Sequence, residues 1–130
     1  NLIWQRKIKK VLDPLDLTHT QFVLLASIAW LTNNRDNITQ VEIANLNKYD
    51  RMMVSKVLRT LQDKKLIKRQ EHKTDTRAKN VTLTMEGRKI LQAALIKVEN
   101  ADIDFFATIE NNLLEFNEYI QTLINANDDK

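Results

Sequence analysis

Glycine and proline are nearly absent from this chain, and their scarcity limits which folds it can adopt. The 130 residues include one glycine, Gly87, and one proline, Pro14. Flexible linkers depend on such residues, whereas long helices exclude them from their interiors. A chain of this length can bury a core as a single domain. We therefore predict one mainly helical domain that spans residues 1–130.

The stretch 50–84 is predicted to form one helix followed by two short strands. Asp50 can accept the free N–H groups of the first helical turn. The apolar residues of the helix are spaced as one buried stripe, which consists of Val54, Val57, Leu58 and Leu61. Leu66–His72 and Asn80–Thr84 alternate apolar with polar residues, as β-strands do. The fold class is thus mainly α with a small β-hairpin.

The opposite face of this helix is basic and fits the width of a DNA major groove. It consists of Met52, Ser55, Lys56 and Arg59, with Arg51 at its edge. A basic face on a helix is more often simply solvated, so the hairpin decides between the two interpretations. Its predicted tip, residues 73–79, carries Lys73, Arg77 and Lys79 and is suited to reach phosphates or a minor groove.

Positive charge is concentrated on the same part of the chain. Residues 38–89 hold 13 Lys and Arg against 6 Asp and Glu, a net charge of +7. The remainder carries −4, which gives the chain its net charge of +3. This separation is typical of proteins that bind nucleic acid and release counterions from phosphates.

Several other classes of protein are disfavoured by the composition. The chain has no Cys, which excludes disulfides and thiolate metal sites. It shows no Ser/His/Asp arrangement, no Gly-rich phosphate loop and no cluster of metal ligands, so we predict neither an enzyme nor a cofactor or metal ion. No apolar run reaches the roughly 18 residues that span a membrane, and no signal peptide is visible. The default is a cytoplasmic protein without a membrane partner.

Three further helices are predicted upstream. Leu2–Leu12 forms the first and ends before Pro14. A capping box opens each of the other two, with Thr18 and Gln21 in one and Thr39 and Glu42 in the other. The second helix runs to residue 32 or so and is apolar nearly all round, which predicts burial between neighbours. The short third helix is predicted to bury Val41, Ile43, Ala44 and Leu46.

The order and spacing of these elements resemble the MarR family of bacterial winged helix-turn-helix transcription regulators. The resemblance covers essentially the whole chain and rests on segments 17–25 and 38–46, on Asp75, Arg77 and Lys79 in the wing, and on Leu83, Thr84 and Gly87 after it. It implies a DNA-binding part at about residues 17–89, with residues 1–16 and 90–130 forming a helical dimerisation part. Lys65 departs from the family pattern, which usually has Gly there. Either Lys65 adopts a left-handed backbone, at a cost of about 1 kcal/mol, or the helix ends differently.

The resemblance also implies how double-stranded DNA would be bound. Gln40 and Lys48 would touch backbone phosphates, and the basic helix would face base edges. Arg77 would enter the minor groove with its guanidinium held by Asp75, although Asp75 can equally be a simple turn residue. A homodimer would place two such helices in successive major grooves roughly 34 Å apart, so the operator would be a pseudo-palindrome. A repressor is the expected form of regulation.

Two amphipathic helices are predicted after residue 89, with a break near residues 108–111. They have no obvious partner within the chain, so we expect them to pack against a second copy. The resemblance places the first helix and the last two at this interface. The predicted interface residues are Leu2, Ile3, Phe105, Leu113, Phe116, Ile120 and Leu123.

Two questions of function stay open at this level. Members of the family commonly bind small aromatic or anionic effectors, which implies a cleft here near Trp4, Arg6, His19 or Trp30; regulation without an effector is the alternative. A winged helix can also bind another protein instead of DNA, since fold alone does not decide function. The positive charge around the wing argues against that second interpretation.

Overall fold

The computed structural model describes residues 2–33, 37–71, 79–101 and 118–126, which form a mainly helical domain with one β-hairpin. The fold class predicted from the sequence is confirmed. None of the helices within these four ranges is long and apolar enough to cross a membrane. The elements are α1 (Leu2–Leu12), a 3-10 turn (Asp13–Leu15), α2 (His19–Thr32), α3 (Gln40–Asn47), α4 (Arg51–Asp63), β1 (Ile67–Glu71), β2 (Lys79–Leu83), α5 (Met85–Ala101) and α6 (118–126).

Helix α2 lies at the centre of the domain and contacts α1, α3, α4, α5 and β2. Its buried apolar side chains are Phe22, Leu24, Leu25, Ile28 and Ala29. The predicted capping box is confirmed, because Thr18 Oγ1 accepts from Gln21 N and Gln21 Oε1 accepts from Thr18 N. Two polar residues, Gln21 and Ser27, are also buried. The Ser27 hydroxyl donates to Val23 O and accepts from Asn47 Nδ2 of α3. A pattern of apolar residues alone does not predict this link.

Helix α4 begins and packs as predicted. Asp50 Oδ2 accepts a hydrogen bond from Met53 N at 3.0 Å, which satisfies one of the free donors of the first turn. Three residues of the predicted stripe, Val54, Leu58 and Leu61, are buried. The fourth, Val57, is half-buried. The stripe faces α2, α3 and β1.

The end of α4 resolves the two alternatives for Lys65. Its backbone is left-handed, with φ of 65°. Lys65 N donates to Gln62 O at 2.9 Å and Leu66 N donates to Leu61 O at 3.0 Å. This pair of bonds is the Schellman motif, which closes a helix through one left-handed residue. The helix therefore ends as it would with glycine, and lysine accepts the conformational cost.

Gly87 is needed for a close contact between α5 and the residue before β1, not for a turn. A Cβ atom at this position would lie 2.0 Å from the carbonyl oxygen of Leu66, so α5 can approach the start of β1 only because residue 87 has no side chain. Thr84 fixes the same junction: its hydroxyl accepts from Gly87 N at 3.0 Å and donates to Lys65 O at 2.8 Å.

The hairpin is antiparallel, with Ile67 opposite Leu83 and Glu71 opposite Lys79. Each strand is close to its predicted range, and residue 72 lies outside the described residues. The prediction that Lys79 belongs to the hairpin tip is wrong, because it is the first residue of β2.

A short segment before α3 adds to the hairpin. Val81 N donates to Ile38 O at 2.8 Å, and Thr39 forms an isolated antiparallel bridge with Asn80. This isolated bridge was not predicted. It bonds the start of α3 to the base of the wing.

Helix α3 departs from its predicted burial. Ile43 and Ala44 are buried, but Val41 is 38% and Leu46 49% exposed, so their predicted burial is wrong. An eight-residue helix presents one narrow face to α2, α4 and β2 and leaves the rest in solvent. The cap at Thr39 is confirmed, since its hydroxyl accepts from the backbone N–H of residue 42 at 3.3 Å. The side-chain bond of the predicted box runs instead between that hydroxyl and the Glu42 carboxylate, at 3.2 Å.

The C-terminal prediction is tested only in part. The predicted break at residues 108–111 lies outside the described residues, as do Phe105, Leu113 and Phe116. Ile120 on α6 is fully buried within the single chain. This corrects its placement at a dimer interface, because its side chain is already covered by its own protomer. Leu123 is half-buried.

Candidate nucleic-acid interface

Helix α4 presents the predicted basic face to solvent. Arg51, Met52, Lys56 and Arg59 are exposed, Met52 at 82% of its surface. Because residues four apart lie above one another on a helix, these side chains form two adjacent rows. Ser55 lies within the first row and is half-buried. The structure therefore brings all five predicted residues onto one surface.

Arg69 lies beside α4, is half-buried, and was not among the predicted site residues. It follows Ile67 on the inward-facing side of β1 and is opposite the buried Val81 of β2. Its Nε donates to Gln62 Oε1 of α4 at 2.7 Å, and its Nη1 donates to Gln40 Oε1 of α3 at 3.0 Å. One guanidinium thus connects the wing to both helices of the helix-turn-helix. The only sequence signal is a basic residue at a strand position where the alternation calls for an apolar one.

The surroundings of Arg69 change the pKa of its guanidinium. Burial lowers the pKa of Arg69 from its usual value, repulsion from Arg59 lowers it further, and attraction to Asp63 opposes both. A guanidinium starts so far above neutrality that it stays charged in this setting. Arg69 therefore contributes a fixed positive charge next to α4.

The two predicted phosphate contacts have different surroundings. Lys48 is exposed in the turn between α3 and α4, with a left-handed backbone at φ of 55°. The turn is closed by Tyr49 N, which donates to Ala44 O at 2.9 Å. Gln40 is half-buried in the first turn of α3, and its amide oxygen is occupied by Arg69.

The structure describes only one of the four predicted wing residues. Lys73, Asp75 and Arg77 lie outside the described residues. Their roles at phosphates and in a minor groove stay predictions. Lys79 is paired in β2 at the end of the hairpin nearest to them.

A cavity of about 330 Å³ lies between α1 and the start of α2. Burial lowers the pKa of His19, one of its lining residues. The residues around it are Gln5, Ile8, Lys9, Asp13, Leu17, Thr18 and His19. Of the residues predicted to surround an effector, Arg6 and Trp30 are not in this lining; both are exposed, and Trp30 lies near the opposite end of α2. Trp4 belongs to α1.

Lys64 connects the end of α4 to the turn that borders this cavity. Its ammonium donates to the carbonyl oxygen of Asp16 and to Gln21 Oε1, the latter at 3.0 Å. The Asp16 carboxylate lies 3.5 Å away. An ammonium has three donors, so these three acceptors can occupy all of them. No group of three or more potential metal ligands occurs among the described residues.

The comparison with known proteins agrees with this architecture. The ArnR1-like winged-helix domain matches residues 13–102. The chain belongs to the ArnR1-like winged-helix family. It is 42% identical over 104 residues to the uncharacterized HTH-type transcriptional regulator YdcH of Bacillus subtilis (strain 168), which covers 80% of this chain and 71% of YdcH.

Solved structures place this winged-helix protein among MarR-type regulators. A single-residue variant of MarR from E. coli, complexed with operator DNA, is 25% identical, with a TM-score of 0.71 over 95% of this chain and 86% of that one. The S. aureus MepR–DNA complex is 27% identical, with a TM-score of 0.72 over 95% and 89% of the two chains. The predicted membership of the MarR family is confirmed, and the chain is a transcriptional regulator of that family.

Proposed function

We propose that this regulator binds operator DNA as a cytoplasmic homodimer and represses transcription, with α4 in the major groove. The observation that carries the proposal is the exposed basic surface of α4 beside the hairpin. Similar proteins have been solved with DNA bound, as the MarR and MepR complexes are. Transcriptional repression by such a protein requires no catalytic step.

Individual residues have distinct roles in this proposal. Arg51 and Arg59 carry the forked donors that can bind guanine through two hydrogen bonds. Lys56 and Lys48 neutralise phosphates, which adds affinity without sequence preference. Met52 is the apolar side chain of the surface and suits a thymine methyl group. Lys73, Arg77 and Lys79 bind at the wing, with Asp75 orienting Arg77.

The dimer is proposed to form through the helices outside the DNA-binding part. That part corresponds to residues 17–89, with residues 1–16 and 90–130 contributing the interface. Ile96 on α5 is 45% exposed and offers apolar surface for it, together with Leu2, Ile3 and Leu123. Two-fold symmetry then requires a pseudo-palindromic operator whose half-sites are about 34 Å apart.

Selection of bound sequences from random duplex DNA tests the proposal. We expect an enriched palindrome of roughly 16–20 base pairs and an affinity that falls steeply with salt. Weak binding without an enriched sequence would contradict it and would instead favour a winged helix that binds another protein.

We further propose that a small aromatic or anionic effector binds in the cavity beside His19. Its volume of about 330 Å³ lies at the lower end for small-molecule sites. A Gln5→Trp variant should fill the cavity, whereas Arg6→Trp places the same side chain on an exposed neighbour outside the lining. Benzoate titrated against the protein–DNA complex should release DNA from the wild type and from Arg6→Trp but not from Gln5→Trp. An equal response of all three proteins would rule out this cavity.

A further inference from the structure

The hydrogen bonds of Arg69 determine how the Gln40 side chain is oriented. A guanidinium has donors and no acceptor, so the amide atom that faces it must be the oxygen. That oxygen is Gln40 Oε1, 3.0 Å from Arg69 Nη1. The assignment of oxygen and nitrogen in an amide is usually ambiguous, but a donor-only partner removes the ambiguity. The two N–H groups on Nε2 are therefore left to bind something else.

A phosphate is the complementary partner for those donors. Phosphate oxygens only accept hydrogen bonds, and side-chain amides are among the groups that bind them in protein–DNA complexes. If the amide were reversed, its oxygen would face the phosphate and repel it. Arg69 thus sets which end of Gln40 can meet DNA.

The backbone around Gln40 is held by the same hairpin. Ile38 O accepts from Val81 N, and Thr39 bridges Asn80. The first turn of α3 is fixed to β2 through its backbone and to β1 through Arg69. Because both its backbone and its amide group are already held, the Gln40 side chain loses little conformational freedom on binding.

We propose that Arg69 is a positioning residue that presents the Gln40 amide to a backbone phosphate and does not itself bind DNA. The inference rests on the proposed function, because it requires DNA at this surface. It differs from the simplest view of a basic residue near DNA, in which Arg69 would neutralise a phosphate directly. Its half-buried position and its two bonds to Gln40 and Gln62 support positioning.

The first test compares two isosteric substitutions, Gln40→Glu and Gln62→Glu. Each keeps an oxygen for Arg69 and adds the same negative charge. Gln40→Glu also replaces the donors that face the phosphate, so we expect its affinity for the selected duplex to fall at least tenfold. Gln62→Glu should stay within about threefold of the wild type. Equal losses in the two variants would overturn the proposal.

The second test asks whether Arg69 acts through Gln40. In the wild-type background, Arg69→Met should weaken binding about fivefold without changing the slope of log affinity against log salt. In a Gln40→Ala background the same substitution should have almost no further effect. A direct phosphate contact would instead give equal losses in both backgrounds and reduce the salt slope by about one. That result would refute positioning.

A charge-preserving variant covers the case in which Arg69→Met does not fold. Arg69→Lys keeps the positive charge but cannot donate to both glutamines from a planar fork. We expect it to bind several-fold more weakly than the wild type while its thermal unfolding remains cooperative. Full wild-type affinity in Arg69→Lys would show that charge alone matters, contrary to the proposal.

Different results would refute the proposed function and the positioning role of Arg69. If the wild type selects no duplex sequence, the proposed function fails, and the positioning role of Arg69 fails with it. If the wild type binds a selected operator and Gln40→Glu binds it equally well, the function stands and the role of Arg69 is refuted.

Discussion

Helices α2 and α4 have nearly the same length, 14 and 13 residues, yet they use their surfaces in opposite ways. α2 is apolar on nearly every side and contacts five other elements. α4 buries one stripe and exposes a basic face. The comparison separates a helix that stabilises the domain from one that we propose binds DNA. Substitutions in α2 should therefore change stability, and those on the exposed face of α4 should change DNA affinity.

The largest expected effect is on stability, from Ile28→Ala in α2. Ile28 is fully buried, and removing its side chain leaves a cavity that typically costs about 2–5 kcal/mol. Urea unfolding measures the loss. Met52→Ala on the exposed face of α4 is the control and should change the free energy of unfolding by less than about 0.5 kcal/mol. Similar losses in both variants would remove the distinction between the two helices.

The next effect is on DNA affinity, from Arg59→Ala in α4. Loss of a bidentate base contact should weaken operator binding by about 1–3 kcal/mol, with little change in thermal stability. Fluorescence anisotropy with a labelled operator measures it. Lys97→Ala, on the exposed side of α5, removes the same charge outside the proposed DNA-binding part of the chain. The assignment of α4 fails if both variants bind equally weakly.

The two helix caps sharpen the comparison further. Asp50→Ala and Thr18→Ala each remove a side chain that accepts from the first turn, at a cost of about 1 kcal/mol of stability. We expect only Asp50→Ala to weaken operator binding as well, because α4 starts at that cap. The experiment pairs thermal unfolding with anisotropy. Weaker DNA binding by Thr18→Ala alone would reverse the proposed roles.

The smallest effect concerns the end of α4. Lys65→Gly relieves a left-handed backbone and should stabilise the protein by about 0.5 kcal/mol, net of the extra freedom that glycine gives the unfolded chain. Lys68→Gly, in β1, relieves no left-handed backbone and should destabilise the protein. Chemical denaturation of both variants decides the point, and a destabilised Lys65→Gly would contradict it.

Local sequence signals predicted the fold well, because helix starts and buried stripes depend on residues within one or two turns. Asp50 and the Thr18 capping box are examples. The exposure of Val41 and Leu46 depends instead on which neighbours α3 meets, which a local pattern does not contain. The pairing of Ile38 and Thr39 with β2 is too short to show alternation and exists only because β2 lies beside it.

The candidate DNA-binding surface was likewise predictable only where it depends on local spacing. The exposed face of α4 follows from helical spacing, so the sequence placed its five residues on one surface. Arg69 was missed because its hydrogen bond to Gln40 joins two residues that are 29 apart in sequence and are brought near by the fold. A basic residue on an inward-facing strand position is a weak signal until its partners are known.

The contact between Lys64 and the Asp16 turn has a mechanical consequence. An α-helix behaves as a stiff rod, and α4 is about 20 Å long. If Lys64 keeps these contacts when the turn shifts, the C-terminal end of that rod shifts with it. If the packed Leu58 region acts as the pivot, the N-terminal end swings the opposite way by a comparable distance. A displacement of about 1 Å at Asp16 would then misalign Arg51 by enough to break a hydrogen bond whose tolerance is a few tenths of an ångström.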